Sequence, residues 1–148
     1  MPATIKRKPW FTVRSVVLGL GAIAIGWFVV RYLVGLHTLG YVDSAIVTMR
    51  ALVVDENKFA ETHPSLAYTC TLRDISTDPT VASGAKNEYT FEIRDCRAKA
   101  VGGPNTSYRV IARPWRSEMP AFCSDETGIL KADYDGSAVN CMKSGQPL

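Results

Sequence analysis

The chain has 148 residues, 47% of them apolar, 21% charged and 9% aromatic, with a formal charge of +3. That length suits one domain of ordinary size, and the composition excludes a disordered chain and a coiled coil. All 14 acidic residues follow Leu36, whereas Lys6, Arg7, Lys8, Arg14 and Arg31 precede it. The excess positive charge therefore belongs to a leader and the remainder is net acidic, which excludes a basic nucleic-acid-binding domain.

From Ser15 to Val30 the sequence carries no charge, and continuing to Leu36 admits only Arg31. A helix of about 20 apolar residues crosses a bilayer, so residues 15–36 are expected to form a transmembrane helix in contact with membrane lipid. Arg31 can extend its guanidinium to the headgroups, helped by interfacial Trp27 and Tyr32. A cleaved signal is the alternative, with Ala22 and Ala24 as the small residues, but the apolar run continues well past them. The cluster Lys6, Arg7, Lys8 and Arg14 places residues 1–14 in the cytoplasm by the lysine and arginine bias. Residues 37–148 then form an extracytoplasmic domain, periplasmic or extracellular.

Between Tyr41 and Ala60, Val42, Ile46, Met49, Leu52, Val53 and Phe59 recur at helical spacings, and Asp43, Arg50, Asp55, Glu56 and Lys58 are assigned to the opposite side. No proline interrupts Phe11 to His63, which predicts one long helix, lipid-embedded first and amphipathic afterwards. Gly35 and Gly40 are its weakest points. His63-Pro64 ends it, because the residue before proline is pushed out of the α region.

The period then changes from helical to alternating. Glu88–Arg94 and Ser107–Arg113 read as strands joined by the turn Gly102-Gly103-Pro104-Asn105, with Pro114 stopping the second. Ala121–Ser124 and Ile129–Ala132 read as a second pair around the hairpin turn Asp125-Glu126-Thr127-Gly128, whose glycine is expected at positive φ. Thr77–Lys86 is expected to be an exposed loop, and Asp133–Leu148 a tail of turn formers held by Cys141. The fold class is therefore α+β: a long N-terminal helix packed on a small antiparallel sheet of about four strands.

Cys70, Cys96, Cys123 and Cys141 all lie in the exported part, and an even number in such a domain suggests disulfides. Four cysteines allow three pairings. The sequential one, Cys70–Cys96 with Cys123–Cys141, is favoured and would contribute on the order of 3 kcal/mol per bridge through loop closure. Absence of C-x-x-C and the presence of only two histidines, His37 and His63, argue against zinc.

Two segments carry a family likeness. Tyr68-Thr69-Cys70-Thr71-Leu72 follows the amphipathic helix, and Phe122-Cys123-Ser124-Asp125-Glu126-Thr127-Gly128 precedes a late cysteine, Cys141. In these motifs the chain resembles the type IV pilin and type II secretion pseudopilin family, most strongly from Leu52 to Cys141. The resemblance implies a domain that works through protein–protein contacts, as a minor or accessory component of a pilus or secretion assembly. The leader departs from the family's processing signal: Trp10 stands where a glycine precedes the cut, Ser15 where a glutamate follows it, and no proline occurs near Tyr32. The resemblance therefore implies a pilin-like domain on an uncleaved anchor.

Catalysis is not expected. There is no G-x-S-x-G, His63 beside a proline reads as a helix-end residue, and Asp125 and Glu126 read as solvated turn charges. No cofactor is expected. Asp133-Tyr134-Asp135-Gly136 is a fragment of a calcium loop without its distal glutamate; since the family can hold calcium near C-terminal loops, Asp133 and Asp135 are the weak metal candidates of an alternative ligand- or calcium-binding module, with Asp125 and Glu126 beside them. Asn105-Thr106-Ser107 fits a glycosylation sequon. Trp115 is expected to cover the sheet as a core lid, with an exposed partner contact as the alternative. Gly19, Gly21, Gly26 and Gly35 are either spacers tolerated in lipid or a close-packing stripe.

Overall fold

The computed structural model describes residues 10–148, with side chains from residue 16 onward; the basic leader residues Lys6, Arg7 and Lys8 lie outside the described residues. Contacts divide the chain into two compact units at Thr38.

Helix α1 runs from Trp10 to Thr62. Among the described residues it is the one helix long and apolar enough to cross a membrane. In the first unit its apolar side chains are exposed on every side, Ile23 and Phe28 at 71% and 70%. A helix with no polar face has no side suited to water. Arg31, the lone charge after Val16 in this unit, places its guanidinium 5.4 Å from the centre of the Trp27 ring, one turn earlier.

In the second unit the residue 38–62 part of α1 packs on a sheet through Ala45, Met49, Leu52 and Val53. The helix ends where proline dictates: His63 N–H still donates to Phe59 O at 2.8 Å, and the His63 ring stacks on Phe59 with centroids 4.2 Å apart. The sheet is an antiparallel meander in sequence order: β1 (Ala85–Lys86), β2 (Tyr89–Ala98), β3 (Asn105–Pro114), β4 (Ala121–Asp125), β5 (Lys131–Asp133) and β6 (Gln146–Pro147). It has six strands rather than about four. The four expected strands are present as β2 to β5; the two added ones are two-residue edge pairings, too short to leave a periodic trace in sequence. Tyr89, Phe91, Tyr108, Val110, Ala112, Phe122 and Ala132 form the sheet's contribution to the core.

Two further expectations are corrected. Thr77–Lys86 is not an exposed loop: Asp78 caps a short helix α3 (Pro79–Ala82) by accepting the Thr80 N–H at 2.9 Å, and Val81 is buried in the core. The C-terminal tail is not all turns either, because Ser137 caps helix α4 (Ala138–Ser144). Another short helix, α2 (Leu72–Ile75), follows Cys70. The β1–β2 hairpin turns through Asn87 and Glu88, both at positive φ, as the tight turn that suits sheet twist requires. Without an Asn-Gly pair its sequence gives little sign of this.

Both disulfides follow the sequential pairing, Cys70–Cys96 and Cys123–Cys141. The second ties α4 to the sheet face opposite α1, over a small cluster of Ile111, Cys123, Ala138 and Cys141.

Candidate functional site

Most residues singled out by sequence prove to be architectural. The Asp125 carboxylate accepts the Thr127 N–H at 3.0 Å, Gly128 N–H donates to Asp125 O at 2.9 Å, and Gly128 sits at φ +75°. The turn is the expected one, with its charges solvated. Asp133 uses one carboxylate oxygen to accept the N–H groups of Asp135 (3.2 Å) and Ser137 (3.0 Å), and Asp135 is exposed. Among the described residues no group of three or more His, Cys, Asp or Glu side chains converges as metal ligands. The Asn105 side-chain amide donates to Tyr68 O at 2.9 Å, engaging the nitrogen that glycosylation would modify. His63 Nδ1 lies 2.9 Å from Thr62 Oγ1 at the helix end.

Trp115 is different, and the expected core lid is overturned. It is 61% exposed, because Tyr108, Val110 and Ala112 of β3 face the core and the alternation of the strand carries Arg113 and then Trp115 to the opposite face. Its orientation is nevertheless set at two points. Its backbone N–H donates to Glu88 O at 2.9 Å, and its indole Nε1 donates to Thr90 Oγ1 at 2.9 Å. Charged pairs surround it: Arg116 Nε donates to Glu88 Oε2 at 3.2 Å and Arg113 to Glu92 Oε1 at 3.2 Å, while Glu92 also receives Arg94. Thr90, Glu92 and Arg94 lie on the sheet face opposite the core, directly across from Arg113, Ile111 and Arg109 of β3. Exposed ion pairs of this kind contribute at most about 1 kcal/mol each to stability. They place charged side chains around a tryptophan that is hydrogen-bonded at two points. Tryptophan and arginine are the residues that carry most binding energy at protein interfaces.

A second residue that the structure places differently is Glu56. It was assigned to the polar side of α1 but is completely buried. The signal was available: Glu56 lies seven residues after Met49 and four after Leu52, on the stripe that faces the sheet. Its Oε2 accepts the Thr69 N–H at 3.1 Å, which draws the segment leading into Cys70 against α1. Neither Glu56 Oε1 nor the buried Tyr108 hydroxyl has a hydrogen-bond partner among the described residues. Burial pushes the Glu56 pKa from 4.5 up to about 7; the Thr69 N–H opposes the rise and the Asp74 charge adds to it. Burial likewise raises the Tyr108 phenol, with the Glu56 charge reinforcing the shift. Tyr68 packs obliquely on Tyr108 at 4.7 Å and completes this internal polar cluster.

The geometry offers an exposed tryptophan hydrogen-bonded at two points and a buried carboxyl group, and it assembles no nucleophile–base pair from the residues singled out above. No family model, curated protein or solved structure matches the chain.

Proposed function

We propose that this is a single-pass membrane protein whose domain of residues 37–148 lies outside the cytoplasm and acts through protein–protein contacts rather than catalysis. Its proposed place is that of a pilin-like accessory component in a pilus or secretion assembly. The N-terminal cluster of Lys6, Arg7, Lys8 and Arg14 supports a cytoplasmic start. Two disulfides in an otherwise small domain support an oxidising compartment beyond the membrane. The packing of residues 38–62 on an antiparallel meander, with the last helix tied down by Cys123–Cys141, supports the pilin-like reading.

The observation that carries the contact function is the exposed, hydrogen-bonded Trp115 among Arg113, Arg116 and Glu88. An indole fixed before binding loses little conformational freedom when a partner covers it. The test is site-specific photocrosslinking from position 115 in native membranes. A discrete adduct with another protein is expected, and it should disappear when the adjacent Arg113 and Arg116 are both changed to Glu. A chain that yields no adduct, or adducts indifferent to those substitutions, refutes the reading. The calcium-binding alternative is the second reading: one Asp133 carboxylate oxygen accepts two N–H groups of its own turn.

A further inference from the structure

A cleft of about 310 Å³ lies between α4 and the outer face of the β2–β3 hairpin. Its floor is apolar, formed by Ile111 of β3 and by Ala138 and Met142 of α4. Its rim is cationic: Arg94, Arg109 and Lys143 border it, against the single carboxylate of Asp95. Volumes of this order are the lower end of small-molecule sites, which pair an apolar lining with a few placed polar groups.

Three observations mark the cleft as more than a surface irregularity. Arg94 and Arg109 are directly opposite each other on the β2–β3 ladder, a like-charge juxtaposition that disfavours the sheet itself. Glu92 and Asp95 partly compensate, each holding one of the two guanidinium groups, yet Lys143 has no acidic partner among the described residues and leaves the rim with unbalanced positive charge. Both walls are also covalently secured. The β2 wall bends at an irregularity between Arg94 and Arg97, with Asp95 at φ +54°, and Cys96 beside it is bonded to Cys70. The α4 wall is bonded through Cys141 to Cys123. A cleft whose walls are tied from both sides keeps its shape before a ligand arrives, which lowers the entropy lost on binding.

We propose that this cleft binds a small amphiphilic carboxylate, its apolar part against Ile111, Ala138 and Met142 and its carboxylate between Arg109 and Lys143. Arginine supplies paired donors to a carboxylate and lysine a point charge. The cleft adjoins the Trp115 surface through the shared Glu92–Arg94 pair, but the two residues proposed to hold the carboxylate, Arg109 and Lys143, make no ion pair with that surface among the described residues.

The test uses the full chain in zwitterionic nanodiscs, titrated with hexanoate, hexylammonium or acetate while the methyl signals of Ile111, Ala138 and Met142 are followed by NMR. Hexanoate should shift these three signals with saturation, whereas hexylammonium and acetate at the same concentrations should not. Lys143→Glu should weaken hexanoate about five-fold, the range of an exposed ion pair, with the core signals of Met49 and Val110 unchanged as proof of folding. Hexylammonium shifting the signals as strongly as hexanoate would overturn the proposal. So would hexanoate affinity unaltered by Lys143→Glu, or no saturable shift at the cleft.

Discussion

Helix α1 contains two stretches of similar backbone and opposite surroundings. In residues 16–37 the large apolar side chains are exposed all round; in residues 38–62 Met49 and Leu52 are buried at 0% and 2% exposure, with Asp43, Arg50 and Lys58 on the solvent side. The first stretch has no preferred azimuth and is long and apolar enough to cross a membrane, where the hydrocarbon would be the same in every direction. The second has a sharply defined azimuth because a sheet lies on one side and water on the other. The difference teaches that helicity alone says little about what a helix does, whereas the angular distribution of its side chains says what surrounds it.

Substitutions in the two stretches should therefore fail in different ways. Leu52→Ala is expected to have the largest effect, destabilising the domain by about 2–5 kcal/mol, read as a lowered unfolding midpoint with membrane retention unaffected. Ile25→Asp should do the reverse. It should disfavour insertion by about 3 kcal/mol and shift the protein into the carbonate-extractable fraction, while Val47→Asp, on the exposed side of the second stretch, should change stability by less than about 0.5 kcal/mol. Equal sensitivity at positions 25 and 47 would erase the distinction between the two stretches.

Glu56 sharpens the comparison further, because it is a charge-bearing residue on the buried azimuth. Its folded pKa, about 7, lies above its unfolded value of 4.5, so the folded state binds the proton more tightly. The resulting stability is complete below about pH 4.5, declines as pH rises, and is lost above about pH 7. The span corresponds to about 3 kcal/mol. Glu56→Gln keeps an oxygen to accept the Thr69 N–H and removes the titration. The variant should show a flatter dependence of unfolding temperature on pH between 5 and 8 than the parent, and should be the more stable of the two at pH 8. Parallel profiles would mean that Glu56 does not titrate in this interval. A smaller effect than at Glu56 is expected at Ser44, whose hydroxyl accepts the Asn87 amide at 2.8 Å and links α1 to the β1–β2 turn. Ser44→Ala should cost about 0.5–1 kcal/mol by chemical denaturation.

Much of the fold was legible in sequence. The proline-free run, the break at His63-Pro64, the alternation of Tyr89, Phe91 and Ile93, and the positive-φ glycine at Gly128 are local patterns with local causes. The elements that escaped notice, β1, β6, α2, α3 and α4, have seven residues or fewer, too short to leave a periodic trace. The candidate site was less legible. For Trp115 the exposed position was only the alternative to a core lid, and nothing in sequence sets Lys143 and Arg109 around one cleft, because α4 is tied to the sheet by the Cys123–Cys141 bridge.

Sequence by itself determined an apolar segment fit for lipid, an amphipathic continuation and the four principal strands, because each is written in short-range spacing; among the three cysteine pairings it only favoured the sequential one, which the folded chain adopts. Tertiary structure alone decided that Glu56 is enclosed, that Trp115 faces outward and that three cations share an apolar cleft. Those outcomes depend on which surfaces meet across the sheet, and the free energy of a charge or an indole is set by its surroundings rather than by its neighbours along the chain.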